Sequence, residues 1–114
     1  MFIDPYVEIK VYYKGKRKYK WKSKVKKKTL TPMYNQDFKF DFTDWDVNDI
    51  VVKLVVKDED FLSKDDFMGI VEFGECVDHP TGRAHWKEIM NSPNTRVTRW
   101  HSLDQHSVGL FNLN

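Results

Sequence analysis

The sequence predicts an all-β sandwich. Three observations lead there. Several short segments alternate apolar and polar residues with a period of two, which turns one face of each toward a core. Turn-forming residues separate them, notably Lys14-Gly15-Lys16, Pro32, Thr43–Asn48 and Thr81-Gly82. A helical stripe appears in one place, Arg83 to Met90, where Trp86, Ile89 and Met90 share a side and Pro93 lies beyond the end.

Taken in order, Pro5 to Tyr13 sets Val7, Ile9, Val11 and Tyr13 against Tyr6, Glu8, Lys10 and Tyr12, a half-buried strand. Arg17 to Val25 sets Tyr19, Trp21, Ser23 and Val25 against a row of lysines, so the aromatics face inward. Gln36 to Phe42 carries Phe38, Phe40 and Phe42 on its core face and reads as a third strand. Ile50 to Lys57 is rich in β-branched residues, as buried strands are. Phe67 to Phe73 is a fifth strand, Val97 to Leu103 a sixth, and Val108 to Leu113 a weaker seventh. The chain of 114 residues is one domain. Seventeen aromatic residues supply too much apolar surface for a disordered chain. Cys76 is the sole cysteine, so no internal disulfide forms. No apolar run approaches the roughly 18 residues of a membrane span, and Met1 to Lys10 lacks the pattern of a signal peptide. These features point to a cytoplasmic domain.

The net charge of +2 conceals an asymmetry. Residues 1–28 carry eleven Lys/Arg against Asp4 and Glu8, whereas residues 29–114 are net acidic. The basic part suits an anionic surface and the acidic part suits cations. Lys16, Lys18, Lys20, Lys22, Lys24 and Lys26 alternate, so a straight strand projects all six from one face. A strand of this kind binds polyanions, or it guards a sheet edge against aggregation. Specific nucleic-acid binding needs exposed aromatics for stacking, and alternation turns Tyr19 and Trp21 away from the lysines.

Asp58, Glu59, Asp60, Asp65 and Asp66 crowd into nine residues. Their mutual repulsion makes this a loop. Hard oxygen ligands at such density suit calcium, which takes about six to eight of them; a solvated acidic turn is the other reading. The spacing Asp-x-Asp-x-x-Ser-x-x-Asp-x-x-Gly, Asp58 to Gly69, lacks the glycine and glutamate of an EF-hand loop. Cys76, His79 and His85 match no common zinc spacing. No nucleophile-and-base order or phosphate-cradling glycine loop suggests an enzyme.

Three segments in order, Asp4-Pro5-Tyr6-Val7, then Lys28-Thr29-Leu30-Thr31-Pro32 with Tyr34-Asn35, then Asp58 to Gly69, resemble C2 domains. The chain is most similar to the second C2 domain of the synaptotagmins, whose ending is echoed in His85-Trp86 to Pro93 and Trp100-His101-Ser102-Leu103. The resemblance implies a C2-type antiparallel β-sandwich, of six to seven strands here, with a short helix near residues 83–91. It implies calcium-regulated binding of anionic phospholipid in vesicle trafficking and exocytosis, peripheral on the cytosolic face of membranes. The alternative is a calcium-independent protein- or polyanion-interaction module that uses the lysine-rich strand. By resemblance, Asp4, Asp58, Asp60 and Asp66 match calcium-ligand aspartates, Ser63 an auxiliary ligand, and Glu59 a main-chain ligand. Phe61 and Leu62 match membrane-inserting tips, and the lysine row matches a polybasic patch for phosphoinositides. Two strands that the family places before Asp4 are missing from residues 1–114, together with the first calcium loop, which implies an N-terminally incomplete domain and weak Ca²⁺ binding. Partners implied are an anionic membrane, SNARE-type proteins, and a second copy or another segment that completes the sheet.

Overall fold

The computed structural model describes residues 3–60 and 64–105. Its centre is an antiparallel sheet. Strand β1 (Pro5–Tyr13) turns into β2 (Lys16–Lys22) through Lys14-Gly15. Both turn residues have positive φ, 50° and 78°, the geometry that a two-residue hairpin matched to strand twist requires. A single 3₁₀ turn, Val47–Asp49, leads into β3 (Ile50–Asp58), which returns as β4 (Asp66–Phe73). The strand order is β2-β1-β3-β4. Helix α1 (Pro80–Asn91) follows, starting three residues earlier than its apolar stripe suggests. Pro80 occupies the first turn, where the missing N–H costs nothing, and the His79 side chain caps the Gly82 N–H.

One face of the sheet is apolar. Val11, Ile50, Val52 and Trp86 form its buried centre, with Ile9, Tyr13, Leu54 and Phe73 around them. Val11 and Ile50 are fully buried, worth about 1.5–3 kcal/mol each relative to exposure. Helix α1 approaches β4 so closely that a Cβ on Gly82 would lie 1.8 Å from the Glu72 carbonyl oxygen, so only glycine fits there.

Two expected strands do not form. Residues 36–42 and 97–103 carry no regular secondary structure and enter no ladder among the described residues. The first lies on the apolar face through its rings, with Phe38 5.6 Å from Trp21 and Phe40 5.9 Å from Tyr19. The second ends in one isolated bridge, Ile70 to Asp104. The physical reason is the lack of neighbours: a strand is held by hydrogen bonds to an adjacent strand, and among the described residues no strand pairs along either segment. Between them, among the described residues, the sheet face is open as an apolar groove of about 410 Å³, lined by Val52, Leu54 and Phe73 of the sheet and by Phe40, Trp86 and Val97. Val108–Leu113 lies outside the described residues.

Candidate functional site

The acidic end of the sheet is assembled by strand register. Pro5 pairs with Asp58, and Asp58 pairs with Asp66. Asp4, Asp58 and Asp66 therefore occupy neighbouring positions at one end of three adjacent strands. The Asp4 N–H donates to Asp58 Oδ1 at 2.9 Å, and the Lys28 N–H donates to Asp4 Oδ1 at 2.7 Å. The Glu59 N–H donates to the Asp4 carbonyl at 3.0 Å. Two carboxylates directly opposed across a strand pair, as Asp58 and Asp66 are, destabilise the pair unless something positive lies near.

The rest of this end is held by Asp65, which the sequence reading left out of the ligand set. Its Oδ1 accepts the Asp60 N–H at 3.1 Å, and its Oδ2 accepts the Tyr6 hydroxyl proton. Burial and that hydrogen bond push the Tyr6 phenol up, and the same bond holds the Asp65 carboxyl below its usual range. Among the described residues no three His, Cys, Asp or Glu side chains stand close enough to hold a metal ion. Phe61, Leu62 and Ser63 lie outside the described residues.

The lysine row differs from a straight alternation. Val11 pairs with Tyr19 but Tyr12 pairs with Arg17, so Lys18 is the extra residue of a bulge. The bulge reverses the parity. Arg17 joins Lys20 and Lys22 on the outer face, while Lys16 pairs with Tyr13 on the other. Lys24 and Lys26 lie past the end of β2, where the chain still follows β1 through the Ser23 N–H to the Val7 carbonyl at 2.8 Å and the Lys26 N–H to the Pro5 carbonyl at 3.0 Å. Tyr19 and Trp21 do face the core.

Register adds lysines that the sequence row does not contain. Lys10 sits beside Lys20 and Lys53. On this face Glu8 is buried between Lys20, at 3.2 Å, and Lys57, while Lys53 lies 3.7 Å from Glu72 and over the Tyr12 ring. Burial alone would push the Glu8 carboxyl up, but the bonds from Lys57 and Lys20 outweigh it and hold it low. Burial lowers the Lys53 ammonium. Lys22 lies 4.3 Å over the Tyr6 ring.

The acidic end and the lysine face meet at Glu59. Its carboxylate accepts from Lys27 Nζ at 2.8 Å and lies 4.0 Å from Lys22 Nζ. The Lys22–Tyr6–Asp65 contacts make a second link. Sequence reasoning assigned Glu59 a backbone role and saw no such joint. The signal available was Tyr6, which alternation puts on the lysine side of β1.

Residues 1–89 match the C2 domain family. The chain belongs to that family. This C2 domain is 37% identical over 103 residues to synaptotagmin-11 of Rattus norvegicus and of Homo sapiens, covering 90% of the chain and 24% of each relative. It is 34% identical over 102 residues to synaptotagmin-3 of Homo sapiens, covering 90% of the chain and 17% of that protein. The chain thus spans a quarter or less of the length of these relatives. Within the described residues no helix is long and apolar enough to cross a membrane.

Proposed function

We propose that this C2 domain is a non-enzymatic module that binds anionic phospholipid membranes under calcium control, as a single domain on the cytosolic face of trafficking membranes. The observation that carries the reading is the joint at Glu59, where three strand-end aspartates adjoin a face rich in lysine. Calcium suits the donor set, which is all hard oxygen, and a cation beside Asp58 and Asp66 relieves their opposition. Asp4, Asp58, Asp60 and Asp66 would hold it, after drawing closer together than they stand in this structure, with Ser63 and the Glu59 carbonyl. Ca²⁺ supplies positive charge that lipid phosphates complete. Phe61 and Leu62 would enter the bilayer, and the lysines would meet phosphoinositide or phosphatidylserine headgroups. SNARE-type proteins are acidic partners that the same lysines suit.

The test is cosedimentation with phosphatidylserine vesicles, with Ca²⁺ and with a chelator. Ca²⁺ should raise binding of the parent, and Asp58→Asn should remove that increment. Lys20→Glu with Lys22→Glu should weaken binding in both conditions. A juxtamembrane lysine contributes about 1 kcal/mol, less at physiological salt. Binding that ignores Ca²⁺ yet needs the lysines favours the second reading, a calcium-independent polyanion or protein module. The observation behind that reading is the register itself, which sets Lys10, Lys20 and Lys53 side by side.

The open groove adds a partner. Its occupant is a pair of strands, laid between residues 36–42 and 97–103, whose backbones offer the missing ladder. Light scattering that gives a dimer assigns those strands to a second copy. A monomer whose groove stays open to an apolar dye overturns the assignment.

A further inference from the structure

His79 and His85, in the first half of α1 and its cap, meet His101, 16 residues beyond His85. The His85 Nε2 lies 2.9 Å from the Val97 carbonyl, and its Nδ1 lies 2.8 Å from His101 Nε2. The Thr81 hydroxyl stands 2.8 Å from His101 Nδ1 and 3.1 Å from His79 Nδ1. His79 Nε2 reaches the Ser102 carbonyl at 2.9 Å, while its Nδ1 accepts the Gly82 N–H at 3.1 Å. His85 and His101 stack at 5.0 Å, and Phe73 of β4 presses edge-on against both. The last described segment is thus tied to α1 through ring nitrogens.

Proton counting fixes the state these bonds need. A carbonyl accepts only, so His85 carries its proton on Nε2 and accepts at Nδ1. His101 must then donate from Nε2 and accept at Nδ1, from the Thr81 hydroxyl. His79 donates from Nε2 to Ser102, and its Nδ1 lone pair serves as the helix cap. Neutral rings, one tautomer each, satisfy every bond but the Thr81–His79 contact, because the single hydroxyl proton goes to His101. One added proton can be absorbed by the His85–His101 pair if the Thr81 hydroxyl turns to His79. A second proton on that pair sets N–H against N–H across 2.8 Å, and a proton on His79 Nδ1, which the Thr81 oxygen can accept, takes the cap from the Gly82 N–H and places a positive charge at a helix N-terminus.

We propose that His79, His85 and His101 form an acid-released latch, which holds residues 97–102 to α1 and β4 in neutral solution and lets them go in mildly acidic solution. Two of the surrounding carboxylates already have partners. Glu72 of β4 is paired with Lys53 on the outer face, and Glu88 of α1 with Arg99 of the final segment. Asp78 and Asp104 flank the chain of bonds in sequence, Arg83 and Lys87 on α1 are exposed, and the first turn of α1 holds no acidic residue. Burial, followed by the charges of His85 and His79, holds His101 below the usual histidine value. The sign follows for His101: once released, its ring takes a proton more readily, so its bonds in the latch are intact above about pH 6.5 and weaken below it. His85 and Val97 also line the apolar groove, so release widens it.

The test is hydrogen exchange of the full chain between pH 7.5 and pH 5.5, corrected for intrinsic exchange rates. Protection at Gly82 and across residues 97–104 should fall at least tenfold in acid, while β1 and β3 keep theirs. His79→Asn keeps a capping side chain without a titrating ring, and it should remove most of the acid response at Gly82. Equal protection at both pH values in the parent overturns the latch. So does an unchanged acid response in His79→Asn combined with His101→Gln.

Discussion

β1 and the segment 36–42 carry the same code and have different fates. Val7, Ile9, Val11 and Tyr13 alternate along one, and Phe38, Phe40 and Phe42 along the other. β1 lies between β2 and β3 and is hydrogen-bonded along both edges. The phenylalanine segment rests its rings on the sheet and, among the described residues, forms no ladder. Alternation therefore specifies which face is buried, whereas a strand is specified by its neighbour. In the first region burial and hydrogen bonding reinforce each other. In the second, burial acts alone, and Phe42 stays 37% exposed.

The largest effect should separate the two regions directly. Trp86→Ala removes a ring from the buried centre and should cost about 3–5 kcal/mol. Phe42→Ala should cost less, about 1–2 kcal/mol, because over a third of its surface is already in solvent. Urea unfolding of both variants checks this. Equal losses would mean that the phenylalanine segment is as firmly built as the sheet, and the contrast would fail.

A second pair of carboxylates sharpens the contrast. Glu8 and Asp41 are both held below their usual range, Glu8 by lysines from β2 and β3, and Asp41 by Thr43 two residues on. Hydrogen bonds to a charged group contribute about 1.5–3 kcal/mol when shielded, so Glu8→Gln should lose about that much. The lowered carboxyl contributes stability that is present above about pH 4.3 and lost as pH falls through its folded value. Glu8→Gln should therefore flatten the acid limb of the stability profile. Asp41→Asn, a local exposed turn, should leave the melting temperature unchanged.

Gly82→Ala tests the joint between α1 and the sheet. Alanine favours a helix by about 1 kcal/mol over glycine. Its Cβ would nevertheless strike the Glu72 backbone, so a net loss of about 1–3 kcal/mol is expected from overpacking. Gly69→Ala would meet the Leu103 side chain at 2.5 Å, yet Leu103 is 41% exposed on a segment that joins the sheet through one bridge, Ile70 to Asp104. That variant should lose less, because its obstacle can move. Thermal melts of the two decide it.

What was legible in the sequence follows the same division. Tyr19 and Trp21 were placed on the core side, the Lys14-Gly15 turn was found, and the helix was located by Trp86, because each rests on local pattern. The bulge at Lys18 was not legible, since nothing in an even alternation marks the residue that the partner strand skips. The role of Glu59 was missed because the lysines it holds lie more than thirty residues away in sequence. The histidine cluster was missed for a similar reason: His79 and His85 belong to the helix, and His101 joins them through the return of the final segment. Residues 36–42 and 97–103 were read as strands because periodicity records burial and is silent about neighbours.

The smallest effect is expected at the surface of the second region. Arg99 reaches from the final segment to Glu88 of α1, with both side chains about half exposed, at 51% and 42%. The pair is forked, Nε to one carboxylate oxygen and Nη2 to the other, which is good geometry for an ion pair. Water nonetheless screens it, and ordering two long side chains offsets part of the gain. Pairs of this kind contribute about 0–1 kcal/mol. Arg99→Ala should therefore shift the urea midpoint little, and 1 M salt should erase the remaining difference, since the Debye length there is about 3 Å. The histidine bonds and the Ile70–Asp104 bridge hold the same segment without long-range charge. A large, salt-resistant loss in Arg99→Ala would show that the ion pair, and not those bonds, keeps residues 97–104 against α1.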